Sequence, residues 1–302
     1  MTTIMHERYH FTLKGIKKFY LNRALRLYPQ NFAMLMLSFL IISYYGEDIS
    51  SVYRSHLFLP STVAEWTQNI SLIYVDFYPS NISPRLLPPT WALTVELFFY
   101  ALIGLGLSKN KSVTVMWFSL SVSYFIISHL YDLPYRDRYS SVIAGSLGFS
   151  IGAIMYHYKN RLLKYFKCTS IYLPVGLFFV TFLNMLCGAL CHYFDFDNAF
   201  CFFFYSNYFL NTLTILSLLQ AKAPSKIKSL DSSNGDYSYP HSLVHWPLGL
   251  IVSMVLFGKP VNEFSLASVI VAFLGLTTTC FLSYFSIRFI DKPIEKLRKK
   301  LK

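Results

Sequence analysis

The stretch PPTWALTVELFFYALIGLGL, from Pro88 to Leu107, carries no charge except that of Glu96. About 20 apolar residues are enough to cross the hydrocarbon core of a bilayer, so this stretch predicts a membrane-spanning helix. A carboxylate within such a helix costs roughly 2.5 to 3.5 kcal/mol on insertion scales, and one is retained mainly where it is paired, hydrated or chemically useful. Glu96 is therefore the first candidate functional residue.

The composition extends this interpretation to the whole chain. Of the 302 residues, 54% are hydrophobic and only 14% are charged, a balance that fits a polytopic membrane protein better than a soluble one. Apolar runs recur from Phe32 to Ile290, and no polar linker divides them. We therefore predict one domain over residues 1–302, an all-α, polytopic transmembrane helical bundle.

Apolar runs of suitable length predict about eight membrane spans. They cover Tyr28–Tyr45, Pro89–Leu107, Val113–Leu130, Ser140–Tyr158, Ile171–Cys191, Ala199–Leu219, Tyr239–Phe257 and Phe264–Ile290. Eight crossings place both termini on one side of the membrane. Residues 1–27 then form a cytoplasmic basic segment, and residues 46–87 form an external loop.

The distribution of positive charge sets the orientation of these spans. With both termini in the cytoplasm, the external Lys and Arg residues among the total of 27 are Arg54, Arg85, Arg136, Arg138 and Lys259. This bias is typical of a multi-pass protein of the cell inner (cytoplasmic) membrane. Because the basic residues lie in short loops between apolar runs, the net charge of +12 indicates topology and not a nucleic-acid partner.

The segment from Trp66 to Tyr78 resembles a ninth span but is short and contains Asp76. Counting it as a span would invert every later loop against the charge bias. We assign it to the external loop, as an interfacial or re-entrant helix.

Arg23 and Arg26 lie at the cytoplasmic mouth of the first span, before Tyr28. Side chains three residues apart share a helix face, and two guanidinium groups there can hold a diphosphate through forked hydrogen bonds. The pair also fits a simpler role as topology anchors that contact lipid head groups, and the spacing by itself favours that role.

Glu96 lies about 12 Å along its helix from Pro88, which places it in the outer half of the membrane. Tyr100 is four residues away and shares its face, whereas Trp91 does not. A carboxylate at this depth can orient or deprotonate a hydroxyl that arrives from outside. The alternative is a structural partner for a buried donor on a neighbouring helix.

His245 lies about 9 Å into the seventh predicted span, which begins on the cytoplasmic side at Tyr239. Histidine titrates near neutral pH and is a suitable base or charge partner. The alternative is an interfacial helix start in which His245 bonds to a carbonyl group and Trp246 lies in the aromatic belt. The basic tail after Asp291 predicts a surface anchor on anionic lipid.

Three strings in this order resemble the integral-membrane acyltransferase 3 family. They are FYLNRALRLYP at Phe19–Pro29, WALTVELFFY at Trp91–Tyr100 and SYPHSLVHWP at Ser238–Pro247. Relative to the family pattern, Ala92 replaces a serine, and Pro240 lies at a position that is usually small or aliphatic. The family has ten spans, and this chain begins after the second. We therefore expect it to lack the histidine, regarded as catalytic, that the family carries in its first helices.

The resemblance implies an enzyme that transfers an acyl group, acetyl in particular, from acyl-CoA to a hydroxyl of a cell-surface or lipid-linked saccharide. By the same resemblance, Arg23 and Arg26 would bind the donor phosphates, with Trp91 and Tyr100 as further substrate-binding residues. Glu96 and His245 would be catalytic, Glu96 near the acceptor route and His245 near the donor mouth. The implied partners are the lipid bilayer, acyl-CoA and a saccharide or glycolipid. The alternatives are a noncatalytic remnant and a component of a polysaccharide transporter or polymerase.

Overall fold

The computed structural model describes residues 1–165, 170–194, 196–221, 225–263 and 265–301, and these residues form helices and loops without a strand. The α-helices are α1 (Thr2–Ile4), α2 (Leu13–Tyr45), α3 (Glu47–Tyr53), α4 (Val63–Ser71), α5 (Thr90–Leu105), α6 (Lys111–Leu130), α7 (Tyr135–Tyr139), α8 (Val142–Tyr165), α9 (Tyr172–Tyr193), α10 (Asp197–Gln220), α11 (Ser225–Phe257), α12 (Leu266–Ser286) and α13 (Lys292–Leu301). Short π-helical turns occupy Met5–Tyr9 and Ile287–Asp291, and a 3-10 turn occupies Pro79–Asn81.

Seven of the described helices are long and apolar enough to cross a membrane, namely α2, α6, α8, α9, α10, α11 and α12. This confirms the predicted all-α polytopic bundle. We call the end of the bundle that holds Arg23 and Arg298 the basic end. We call the opposite end, which holds Gly46 and Phe257, the loop end.

Helix α5 is apolar but has only 16 residues, is about 24 Å long and is shorter than the seven spanning helices. Its last turns lie beside the start of α2, where the Tyr20 hydroxyl donates to the Ala101 carbonyl at 2.8 Å. The next helix, α6, begins at Lys111 on the same basic end, so residues 46–87 and α5 together return the chain there from the loop end. The sequence predicted about eight spans; seven helices meet the length and hydropathy of a span, and α5 is shorter than the predicted span Pro89–Leu107.

Residues 46–87 fill the space between the loop end of the bundle and the short helix α5. The Trp66 ring in α4 lies 5.8 Å from the Phe39 ring, and at the end of α4 the Ser71 carbonyl accepts a 2.7 Å hydrogen bond from Tyr28. Phe39 and Tyr28 are about 16 Å apart along α2, so α4 descends from the loop end deep into the bundle. The segment is therefore re-entrant, one of the two possibilities that the sequence left open.

Two buried polar side chains hold this re-entrant segment together. The Arg85 guanidinium donates to the carbonyl groups of Pro79, Ser80, Ile82 and Pro88 at 2.7 to 3.3 Å. Burial lowers the pKa of Arg85 to about 10, so its charge is retained at neutral pH. The Asn69 amide donates to the Pro84 carbonyl at 2.9 Å and accepts from the Leu86 amide at 2.9 Å. Backbone groups that would otherwise be unsatisfied in an apolar setting are paired in this way.

The core consists of two apolar clusters along the bundle axis. The cluster nearer the basic end contains Phe19, Phe99, Tyr100, Ile103 and Trp117. The cluster nearer the loop end joins α2, the re-entrant segment and α11 through Ile42, Leu57, Leu86, Leu243 and Leu250. Large apolar side chains also point outward, as on α9 and α12, which is the arrangement expected where lipid chains are the solvent.

Candidate functional site

Arg23 lies at the centre of the basic end, on the buried face of α2. Its side chain is only 3% exposed, and its guanidinium lies 5.7 Å from the centre of the Phe19 ring and 5.8 Å from that of Tyr100. Its Nε and Nη1 atoms have no hydrogen-bond partner among the described residues. A guanidinium held by aromatic faces keeps its hydrogen-bond donors for another group.

Glu96 faces this arginine and its neighbour. The carboxylate lies within electrostatic reach of Arg26 and Arg23, although neither forms an ion pair with it within 4 Å. Sequence reasoning places Glu96 in the outer half of the membrane, and the structure corrects this. The Thr94 hydroxyl donates to the Leu72 carbonyl at 2.8 Å, next to the Ser71 carbonyl that Tyr28 contacts. Glu96, two residues further along α5, therefore lies at the depth of the arginine pair.

Tyr239 of α11 completes this cluster, and sequence reasoning assigned it no role. Its hydroxyl donates to the Leu27 carbonyl of α2 at 2.9 Å, and its side chain lies within electrostatic reach of Glu96 and Arg26. The hydrogen bond fixes α11 against α2 at this level. The signal available in the sequence was the position of Tyr239 within the SYPHSLVHWP string. That signal was ambiguous, because a tyrosine at the start of a span is also common in the aromatic belt.

Arg298, from the basic tail, joins the cluster from the opposite end of the chain. Its Nε atom donates to the Asn22 side chain of α2 at 2.9 Å. Helix α13 thus docks on the base of α2, where the sequence predicted only a lipid-surface anchor. A contact between residues 276 positions apart leaves no local signal in the sequence.

These residues surround a polar cavity of about 240 Å³ at the basic end. Arg26, Tyr239 and Arg298 line it. Asp236, Asp291, Lys292 and Glu295 also line it, so the cavity carries both signs of charge. Neither Arg26 nor Arg298 has a carboxylate within 4 Å in the described part of the chain, whereas Glu295 lies 3.4 Å from Lys299. Two guanidinium groups are thus left to bind a ligand.

His245 lies apart from this cluster, about 9 Å further along α11 toward the loop end. Its Nδ1 atom lies 2.9 Å from the Ser242 carbonyl oxygen. Because a carbonyl oxygen only accepts hydrogen bonds, Nδ1 carries the proton and Nε2 of the neutral ring keeps its lone pair. The predicted position of His245 near the donor mouth is thus corrected. The histidine lies within electrostatic reach of His241 and, more weakly, of Arg54 in the re-entrant segment.

The remaining predicted residues separate along α5. Tyr100 belongs to the cluster through Arg23. Trp91, in the first turn, packs edge-on against Tyr139 with ring centres 5.7 Å apart. The structure therefore places Tyr100, but not Trp91, beside the arginine pair.

A larger and mostly apolar groove, of about 830 Å³, runs along the other side of α5 toward α6 and α8. Among the described residues that line it, Asp76 alone is charged. No group of three or more His, Cys, Asp or Glu side chains in the described ranges has a metal-binding arrangement. The chemistry of the candidate site thus rests on the basic-end cluster and on His245.

The fold defines the class of protein, a multi-pass helical membrane protein with a polar site at its basic end. Comparison of the chain with protein-family models, with curated proteins and with solved structures finds no match.

Proposed function

We propose that this protein is an acyltransferase of the cytoplasmic membrane. It transfers an acyl group, acetyl in our proposal, from acyl-CoA to a hydroxyl of a cell-surface or lipid-linked saccharide. The observation that carries the proposal is the cavity of the basic end, which Arg26, Arg298 and Tyr239 line, with Arg23 and Glu96 within electrostatic reach of Arg26. The resemblance of three sequence strings to acyltransferase 3 proteins gives the reaction class.

The arginine cluster suits the phosphates of an acyl-CoA donor. Electrostatic repulsion acts among the guanidinium groups of Arg23, Arg26 and Arg298. Three guanidinium groups without paired carboxylates repel each other, and a bound diphosphate would relieve that repulsion. Since acidic residues line the same cavity, the ligand is selected by forked hydrogen bonds and not by net charge alone.

His245 is the base of the proposed reaction, and its separation from the arginines suits this role. In coenzyme A the pantetheine arm separates the thioester from the phosphates, so a donor held at the basic end extends its acyl group deeper into the bundle. Nε2 of His245 accepts the proton of the acceptor hydroxyl as the oxygen bonds to the acyl carbon. The carbon–sulfur bond breaks, and the proton passes to the departing thiolate. Glu96 offsets part of the positive charge of Arg26 and Arg23 at the donor end.

Acetyl-CoA binding tests the donor site. We expect the full chain in lipid nanodiscs to bind acetyl-CoA, and Arg26→Ala to weaken binding about tenfold or more, since a charge-assisted hydrogen bond contributes roughly 1.5 to 3 kcal/mol. Because Arg26 is solvent-exposed and Arg23 is buried, a substitution of Arg26 disturbs folding less than one of Arg23. The measurement is calorimetric titration at fixed salt. Lys17→Ala, an exposed cation on the same helix, is the matched control and keeps wild-type affinity. Equal affinity in Arg26→Ala and wild type would refute the donor site.

Transfer is measured separately, with labelled acetyl-CoA and membranes that contain saccharide. His245→Phe is expected to retain acetyl-CoA binding and to lose transfer, whereas the neighbouring substitution His241→Phe retains both. Binding by the wild-type chain without transfer to any saccharide would contradict the enzyme proposal. That result would favour a noncatalytic remnant or a component of a polysaccharide transporter or polymerase.

A further inference from the structure

A second cavity, of about 470 Å³ and lined by both polar and apolar groups, opens at the loop end between α3, α11 and α12. Its size is within the range of small-molecule sites. Helix α3 of the re-entrant segment forms one wall and Trp246 of α11 lies against it. The cavity therefore extends from the loop end to the depth of His245, the residue next to Trp246.

Aromatic rings and one cation define this cavity. The Tyr53 and Trp246 rings meet nearly at right angles with centres 6.0 Å apart, and the Arg54 guanidinium lies 4.4 Å from the centre of the Trp246 ring. Among the described residues that line the cavity, Arg54 alone is charged, and it has no ion-pair partner there. An anion that binds Arg54 would thus lie beside an aromatic surface.

Hydroxyl and amide groups complete the lining. Asn262 donates from Nδ2 to the Val52 carbonyl at 2.7 Å, which leaves its Oδ1 atom as an acceptor. Ser55 adds a hydroxyl group that can donate and accept, and Ser51, whose hydroxyl donates to the Asp48 carbonyl, adds an acceptor. The Ser268 hydroxyl is used in the cap of α12, where it donates to the Ser265 carbonyl at 2.7 Å. The hydrogen bond from Asn262 to the Val52 carbonyl ties α3 to the loop between α11 and α12, so the two walls of the cavity are fixed relative to each other.

Gly249 shows that the aromatic wall is closely fitted to α11. A Cβ atom at this position would lie 2.3 Å from the Tyr53 hydroxyl oxygen. Only glycine allows the Tyr53 side chain to lie on the helix backbone at this point. The position of Tyr53, and with it the shape of the cavity, therefore depends on a particular residue of α11.

We propose that the loop-end cavity binds a saccharide that carries an anionic group. Sugar rings present apolar C–H faces that pack on aromatic side chains, and their hydroxyls match serine and amide groups. The anionic group, a carboxylate or a phosphate, pairs with Arg54. This inference rests on the proposed function in one respect, since the saccharide would be the acceptor whose hydroxyl reaches His245.

The test uses the full chain in nanodiscs, with glucuronate as the probe, glucose as a neutral sugar and inorganic phosphate as a sugar-free anion. Tryptophan fluorescence reports binding, and because the chain has four tryptophans, loss of the change in Trp246→Phe assigns it to the cavity. We expect a saturable change with glucuronate, with affinity about tenfold above that for glucose. Arg54→Gln is expected to abolish this preference for glucuronate. Arg136→Gln is the matched control, because that guanidinium also lies over an aromatic ring, 4.3 Å from the centre of Tyr78, outside the cavity.

An unchanged preference in Arg54→Gln, or no saturable change with either sugar, would overturn the proposal. Phosphate binding as tight as that of glucuronate would also overturn it, because the site would then bind anions without recognising a sugar. Acetyl-CoA titration of the same samples separates the two proposals. If the wild-type chain binds glucuronate but not acetyl-CoA, the enzyme proposal alone is refuted. If it binds acetyl-CoA but not glucuronate, the saccharide site alone is refuted.

Discussion

His56 illustrates how single residues in the re-entrant segment depend on their surroundings. It lies between α3 and α4, where its Nδ1 atom contacts the Ser83 hydroxyl and its carbonyl accepts from the Arg85 amide at 2.8 Å. Burial, together with the charges of Arg85 and Arg54, lowers the pKa of His56 to about 4. Between about pH 4 and pH 6.5 the histidine is therefore neutral in the folded protein, whereas it is protonated in the unfolded chain.

This pKa predicts acid sensitivity of the re-entrant segment. Below about pH 6.5 His56 is protonated in the unfolded chain, whereas in the folded protein it is protonated only below about pH 4. The contribution of His56 to stability is thus complete above about pH 6.5 and is lost as the pH falls toward 4. We expect the Tm of the reconstituted protein to fall between pH 7 and pH 5, and His56→Asn to reduce that fall. The same decline in His56→Asn as in wild type would contradict the assignment, and His10→Asn, at an exposed histidine, serves as the control.

At the scale of elements, the short helix α5 is positioned by the helix that packs across it. Gly145 of α8 lies against α5, and a Cβ atom there would come within 2.5 Å of the Val95 Cγ1 atom. Val95 lies next to Glu96, so α8 packs closely against α5 at the level of Glu96. Gly152, two turns further along α8, has no atom within 4 Å of an added Cβ.

Two substitutions on α8 test this packing. Gly145→Ala is expected to destabilise the protein by about 1 to 3 kcal/mol, because overpacking forces side chains or backbone to shift. Gly152→Ala has room for its methyl group and is expected to leave stability unchanged or slightly raised, since alanine is the better helix former. Thermal unfolding in detergent measures both. Equal stability of the two variants would contradict the close packing of α8 on α5 at Gly145.

For the whole molecule, the positive charges predict that the basic end faces the cytoplasm. The structure adds that residues 46–87 and α5 together must return the chain to the basic end for the later helices to keep this orientation. In a variant without native cysteines, Lys259→Cys should react with an impermeant thiol reagent from outside the cell. Lys299→Cys and Lys111→Cys should react only after the membrane is opened. Reaction of Lys111→Cys from outside would show that residues 46–87 and α5 do not return the chain to the cytoplasmic side.

The sequence alone determined several features of this protein. Hydropathy and charge act residue by residue, so the all-α bundle, the order of its passes and the arginine pair at the basic end follow from the chain itself. Glu96 was also recognisable, because a carboxylate in an apolar helix is costly wherever that helix lies. The sequence could not set the depth of Glu96, since that depth depends on how residues 46–87 fold.

The tertiary structure decided which groups meet. The re-entrant segment is held by long-range hydrogen bonds from Tyr28 and Thr94, and it displaces α5 toward the basic end. As a result, Glu96 lies near the arginines. His245 lies about 9 Å from Tyr239 along α11, toward the loop end. Arg298 reaches Asn22 across 276 positions of sequence. Such contacts are set by the packing of whole elements, whereas the periodicity and charge of a sequence report only on each element by itself.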